Sequence, residues 1–387
     1  MNLDFMPSPF KDRPGLLIRD TLQYSDATLI IPPVLVESLS CYDGEQSELD
    51  LRQALVNATG DLQVSELEEH LTSTLRQAGF LEDDVYEEMK AQAEKAFADS
   101  PERVAVHSEG MTSEQMLEYL GEGNDNKIRL SAIAAPHASP DGAWKSYRAA
   151  YRTLSPEDRD RTFVILGTSH YGEPDRFGLT RKPFVTPFGT STTALGLVDE
   201  IERLAPQSIK MEDYCHAIEH SIEFQVMFLQ HLFGADVKVL PVLCGSYARS
   251  IYRGGMPEDN EDVKRFLGVM GDIAAREGDK LCWVLGVDMA HMGQRYSDRF
   301  QATAGRGLMT EVENRDRGRM ASVVSGDASS FWSLVQENQD DLKWCGSSPI
   351  YSFMKIKPQA RGEVLDYGQW NIDEGSVVSF ASIAFSG

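Results

Sequence analysis

The last three-quarters of the sequence predict an α/β domain, a central, mostly parallel sheet flanked by helices, with a smaller α+β unit ahead of it. Three observations carry that expectation. From about Ser100 onward, short apolar runs ending in Gly, Pro or His alternate with helical patterns, the order that builds a parallel sheet through crossover helices. The acidity is uneven: of a net charge of −23, −13 falls in residues 1–105, which marks that stretch as a separate module. The chain has 387 residues, 42% of them apolar, enough for two to three domains of ~150 residues with their own cores.

In the first unit, Thr28–Val36 is a β-like apolar run broken by Pro32 and Pro33, followed by a turn at Asp43-Gly44. Leu49, Leu51, Ala54 and Leu55 predict a short helix ending near Gly60. Ser65-x-x-Glu68 reads as a capping box, and Val64, Leu67, Leu71 and Leu75 repeat at helical spacing until Gly79. Residues 82–97 read as a charged, mostly exposed helix. The expected division is a winged-helix-like module over 1–80, a helical linker over 81–105 and the α/β domain over 106–387. Asp43-Gly44, Glu48–Leu51 and Ala78–Leu81 resemble the PqqD-like peptide-recognition domains. An acidic module argues against nucleic acid and for a protein or peptide partner.

The α/β part offers five apolar runs: Ile128–Ala135, Thr162–Leu166, Val237–Leu243, Leu281–Val287 and Ser376–Phe385. Helices are expected near 142–154, 193–204, 217–233, 260–277, 297–323 and 328–337. The overall acidity repels phosphate backbones and anionic lipid, so neither nucleic acid nor a membrane surface is an expected partner. The N-terminal residues lack a basic stretch followed by an apolar core, as a signal peptide would have. Five scattered cysteines without a CxxC fit a reducing cytoplasm.

Chemistry is expected where the apolar runs end. His137, His170 and His291 each follow one of them, and Asp288 stands three residues before His291. Ligands of open α/β sheets bind outside the carboxyl ends of the strands, so these imidazoles and the carboxylate would meet at one rim. Such a donor set holds iron, copper, zinc or manganese. A second motif, His216-Ala-Ile-Glu219-His220-Ser-Ile-Glu223, would put two imidazoles and two carboxylates on one helical face. Its HxxEH core is also the pattern of the inverted zincins, which opens a zinc-hydrolase reading through His216, Glu219 and His220. The nucleophile elbow and the P-loop are absent, and Gly121-Glu-Gly123 lacks the third fingerprint glycine, Asn126 standing there. Cys215, beside His216, is the one thiol singled out by its neighbours.

Seven motifs then occur in order: APHAS (Ala135–Ser139), VILGTSHYG (Val164–Gly172), TPFG (Thr186–Gly189), EHSIEFQ (Glu219–Gln225), VLPVLCG (Val239–Gly245), VDMAHMGQRY (Val287–Tyr296) and CGSSPI (Cys345–Ile350). Over about residues 101–387 they resemble the Memo family, whose bacterial and archaeal members are called AmmeMemoRadiSam system protein B. The resemblance implies a LigB-like fold, that of class III extradiol dioxygenases, with a metal at the sheet's rim. It implies His137 and His170 as metal ligands and His220 as a third active-site imidazole, in the place of the acid–base histidine. Iron or copper and redox activity are what the family resemblance implies, without a defined substrate. The family's metal-binding Cys is expected in the S-D-x-C-H segment, where this chain has Ala290. Cys244 belongs to a strand motif and does not replace it, so His220, Asp288, His291 or water is left as the third ligand.

The sequence thus supports a cytoplasmic protein with a mononuclear iron site, copper or zinc being the alternatives, acting with O2 on a small phenolic substrate. The metal set would be His137, His170, His220 and Asp288; His220, Glu219 and Glu223 would be the catalytic residues, the two glutamates orienting imidazoles. The rival readings are a protein- or peptide-binding chain with a relic pocket and the zinc hydrolase.

Overall fold

A computed structural model describes residues 3–121 and 129–387, so Glu122–Gly123, Asn126 and Ile128 of the motifs above lie outside the described residues. The chain divides into two compact units, Met1–Asp99 and Ser100–Gly387.

In the first unit, the strands Leu3–Pro7, Leu16–Asp20 and Thr28–Ile31 form an antiparallel sheet in that order. The last of them stops at Ile31 because Pro32 and Pro33 cannot continue a ladder, and a 3-10 helix follows over Pro33–Cys41. Helices Glu48–Thr59, Ser65–Gln77 and Asp84–Asp99 complete the unit. The first is closed by a Ser47/Asp50 capping box and by Gly60 in the left-handed region. The capping box expected at Ser65 is not formed: Ser65 is already helical, Val64 stands at the cap, and Glu68 instead pairs with Arg52 at 3.1 Å. Ile18, Ile31, Leu51, Leu55, Leu71 and Leu75 form the core. The helix Asp84–Asp99 buries Tyr86 and Phe97, with Tyr86 edge-on to Tyr24, so it belongs to this unit and the boundary falls at 99/100.

The second unit is built on a ten-stranded mixed sheet. At its centre Lys238–Cys244, Thr162–Thr168, Leu281–Gly286 and Ala132–Ala135 lie side by side and parallel. Apart from the exposed Lys238 and the half-buried Thr162, their residues are buried, and such strands read as continuous apolar runs because helices cover both faces. Ser376–Ser386 pairs antiparallel with Ala132–Ala135 and carries a long hairpin partner, Arg361–Asp373. That partner has no apolar run to announce it: most of it is half-buried and its sequence is largely polar.

Several expected helices are present over Pro140–Tyr151, Leu195–Leu204, Glu261–Glu277 and Ala328–Gln336. The one expected over 297–323 begins only at Leu308, after a glycine-rich stretch, and runs to Ser325. The one expected over 217–233 is broken. Cys215–Ile218 forms a short turn of helix, Glu219 is extended (φ −84°, ψ 135°), and helix resumes over Glu223–Phe233. Among the described residues no helix is long and apolar enough to cross a membrane.

Candidate metal centre

The strands Ala132–Ala135, Thr162–Thr168 and Leu281–Gly286 are neighbours, and the residues just past their ends converge: His137, His170 and Asp288. Sheet order, not sequence distance, brings them together. Between helices, the loop Glu219–Ile222 lies across the same ends. It fits because two strand positions are glycine: a Cβ on Gly286 would sit 2.1 Å from Ser221 O, and one on Gly167 would sit 2.5 Å from Ser221 Oγ. This loop delivers His220, so that the rings of His137, His170 and His220 stand 5.0–5.2 Å apart, centroid to centroid.

Each imidazole of the strand-end pair is held by its Nδ1. That of His137 is 2.9 Å from Gly286 O, and that of His170 is 2.9 Å from Glu219 Oε1. Glu219 also accepts the backbone N–H groups of His170 and His220. The other ring nitrogen of His137, Nε2, is turned away from Gly286 O toward Cys345 Sγ.

The third donor at this point is Cys345. Its Sγ is 3.3 Å from His137 Nε2, and the donor atoms of His137, His170 and Cys345 all lie within 4.8 Å of one another. One ion bonded at about 2.0–2.3 Å to nitrogen and sulfur spans such distances. Cys345 is pinned in place on both sides: Thr168 Oγ1 donates to its carbonyl, and Gly346 N donates to Asp288 O. A second group, His170, Glu219 and His220, also meets this spacing, and shares His170 with the first.

The thiol missing at Ala290 has a counterpart elsewhere in the chain, because Cys345 stands beside His137 and His170. Ala290 is buried, with its N–H on Ser379 Oγ, while a cysteine 55 residues further along the chain reaches the site. The signal was in the sequence, as the first residue of CGSSPI, but nothing local tied it to the histidines. His107, also missed, packs tilted against His220 with ring centroids 5.2 Å apart, and its Nε2 is 2.8 Å from Ile218 O.

The other expected residues fall in different places. Asp288 accepts the backbone N–H of His137 through Oδ1, and its Oδ2 is 3.5 Å from His137 Nε2; it is a member of neither three-residue group. His291 turns its Nδ1 toward Met289 O and Lys343 O and packs edge-on against Tyr296. Glu223 does not face the imidazoles. It accepts from Arg103 Nη1 and from the backbone amides of Val106, His107 and Ser108, and so anchors the segment that carries His107. Arg103 closes the clamp by donating to His216 O and Glu219 O across the helix break. His216 is buried away from the cluster, its Nε2 on Gly178 O. The break at Glu219 thus removes the one-face geometry on which the HxxEH reading depended. Cys215 and Cys244 are buried thiols whose pKa burial pushes up, which makes them inert.

Electrostatics single out the donor group His137, His170 and Cys345. Burial opposes the Cys345 thiolate, but His137 and His291 outweigh it and hold the pKa well below that of an ordinary thiol. Burial lowers His137 while Asp288 and Cys345 raise it, to about 9. His170 is also raised, Glu219 outweighing burial. His220 goes the other way: burial, helped by the neighbouring imidazoles, lowers it well below the ordinary value against the pull of Glu219. A thiol and two imidazoles whose donor atoms lie this close together could hold a metal ion.

Residues 107–384 match the family of Memo-like proteins. A MEMO1 family protein of Aquifex aeolicus is 23% identical over 387 residues, 97% of each chain, so that likeness includes the N-terminal unit. One from Pyrococcus abyssi is 32% identical over 72% of this chain and 95% of its own. One from Thermococcus kodakarensis is 30% identical over 70% and 92%. The chain belongs to the Memo-like family.

Proposed function

We propose that this Memo-like chain is a metalloprotein with a mononuclear redox site, in which His137 Nε2, His170 Nε2 and Cys345 Sγ hold the ion and His220 moves protons. The observation that carries the reading is the polarity of the two imidazoles. Their Nδ1 atoms are taken by Gly286 O and Glu219 Oε1, as in ligating histidines whose second nitrogen is fixed by a carbonyl or a carboxylate, and the Nε2 of His137 lies 3.3 Å from Cys345 Sγ.

Iron is the metal and O2-dependent oxidation of a small phenolic compound the reaction in this proposal. When bound, iron held by His137, His170 and Cys345 would supply Lewis-acid and redox chemistry. The chain's own groups do the rest. His220, kept neutral, accepts the phenolic proton as general base. Glu219 holds His170 in register, and Asp288 fixes the His137 backbone. The side chain of His170 is 26% exposed, against 1% for His137, so a substrate approaches from the His170 side. One observation favours copper as a second reading: the third donor is a thiolate in place of the carboxylate of a facial triad, and soft sulfur suits copper(I).

The test is anaerobic purification with elemental analysis of the wild type and of the His137→Ala/His170→Ala double variant, followed by O2 uptake with a panel of catechols. Near-stoichiometric iron that is lost in the double variant, together with catechol-dependent O2 uptake, is the expected result. Copper at the same stoichiometry selects the second reading. Metal retained in the double variant, or none in the wild type, overturns the site.

A further inference from the structure

The segment that leads into Cys345 is strained. Among the described residues eight non-glycine residues have a positive φ, and four of them fall within six positions: Asn338 (51°), Gln339 (57°), Asp340 (54°) and Lys343 (55°). Asn and Asp tolerate the left-handed region because their short side chains bond locally, but Gln and Lys have no such relief. Three such residues in a row make a left-handed turn that L-residues do not hold by themselves. Backbone of this kind persists only where the surroundings over-determine it.

The surroundings here are a buried ion pair and its neighbours. Asp340 accepts Arg319 Nη1 at 2.6 Å and the Trp344 N–H at 3.0 Å, and the two charged side chains are 3% and 10% exposed for Arg319 and Asp340. Arg319 comes from the helix Leu308–Ser325; its other Nη donates to Leu334 O, and its guanidinium lies over the Trp344 ring at 5.3 Å. Trp344 is buried, with its indole N–H on Asp316 Oδ1. At the far end of the turn, Lys343 Nζ is 2.9 Å from Asp298 Oδ1. Cys345 is the next residue after Trp344, so the strained turn sets its approach on one side, as Thr168 and Asp288 do on the other. The two imidazoles owe their places to Gly286 O and Glu219, which lie outside this segment. Of the three donors, the thiol alone depends on it.

We infer that Asn338–Lys343 is a strained latch, closed by Arg319 on Asp340, that holds Cys345 Sγ against the two imidazoles; Arg319 and Asp340 are thus positioning residues of the metal centre. Resting on the centre proposed above for what the thiol binds, the latch is independent of it for how the thiol is placed. Opening the latch withdraws the thiol and leaves His137 and His170 where they are.

The test uses the full chain and two readouts. In the metal-free protein, hydrogen exchange followed by mass spectrometry reports the amides of Lys343, Trp344 and Gly346, which are bonded to Asp340 O, Asp340 Oδ2 and Asp288 O. In the cobalt(II)-loaded protein, the sulfur-to-cobalt charge-transfer band reports whether the thiolate is on the ion. Gln339 is exposed, so substitutions there change the backbone cost more than the contacts. Gln339→Val, β-branched at a left-handed position, is expected to speed exchange of these amides at least about tenfold and to weaken the band at least about twofold. Gln339→Gly, which adopts this φ without cost, is expected to exchange no faster than wild type and to keep the band. Arg319→Gln is expected to have the largest effect on both readouts; if it does not fold, the Gln339 pair decides. Exchange in Thr162–Thr168 is expected to stay unchanged in the Gln339 variants, which separates local opening from loss of the fold. Equal exchange in Gln339→Val and Gln339→Gly overturns the latch, and so does a band that survives at full strength while exchange rises. A wild type that takes up cobalt(II) without the band contradicts the metal centre instead, and the latch then stands or falls by the exchange comparison.

Discussion

The segment His216–Glu223 gathers two histidines and two glutamates within eight residues, whereas 208 residues separate His137 from Cys345. Read along the chain, the first is the denser constellation. In space it disperses: His216 turns to Gly178 O, Glu223 to the amides of residues 106–108, and only Glu219 and His220 reach the cluster. The scattered residues converge, because parallel neighbouring strands end together and place whatever follows them at one rim. Local spacing makes a site only if the helix it assumes is continuous, and here Glu219 is extended.

The clamp that disperses the first region offers the largest effect. Arg103 and Glu223 are both buried, at 1% and 0% exposure of their side chains. Arg103→Ala strands a buried carboxylate, and a loss of about 3–5 kcal/mol is expected, read as a lower midpoint in chemical denaturation. A loss below ~1 kcal/mol would mean that the pair does not hold the break.

Next comes the link between the two regions. Glu219→Gln removes the charge that orients His170, and a 10–100-fold weaker metal affinity is expected from competition with a chelator. Unchanged affinity would uncouple the segment from the metal site.

His216 provides a smaller, pH-dependent effect. Burial lowers its pKa to about 4, below the ordinary 6.5 that the unfolded chain restores. The unfolded state therefore binds the extra proton first. The stability this contributes is complete above about pH 6.5 and is lost as pH falls toward 4, at up to about 1.4 kcal/mol per pH unit. Wild type and His216→Gln compared by thermal melts at pH 7.0, 5.5 and 4.5 should differ in slope, the variant being flatter. Its metal content should match the wild type, whereas loss of metal would revive a site on the local motif.

The smallest expected effect is on metal content in His220→Asn. A proton-moving imidazole outside the ligand set leaves stoichiometry unchanged by elemental analysis, while a drop would move His220 into the metal's coordination.

Much of the fold was legible because buried parallel strands write themselves as apolar runs; Thr162–Thr168 and Leu281–Gly286 stand almost where their runs do. Arg361–Asp373 was not, since a half-buried strand of largely polar residues has neither a run nor a clean alternation. The break in the helix at 219 was hidden because no Pro or Gly marks it: it is held by Arg103, more than a hundred residues away. The two strand-end histidines were legible from topology. Cys345 was not, because it approaches from a loop that opens a helix, and its partners are set by contacts with Thr168 and Asp288 rather than by spacing.

In the proposed centre, two imidazoles and the Cys345 thiolate bind one metal ion. X-ray absorption at the edge of the metal found in the anaerobic protein tests it most directly, comparing wild type with Cys345→Ser. The expected wild-type spectrum contains one sulfur scatterer at about 2.3 Å and nitrogen scatterers at about 2.0–2.1 Å, with the sulfur gone in the variant. A wild-type shell of nitrogen and oxygen alone, or a sulfur signal that survives Cys345→Ser, would contradict it.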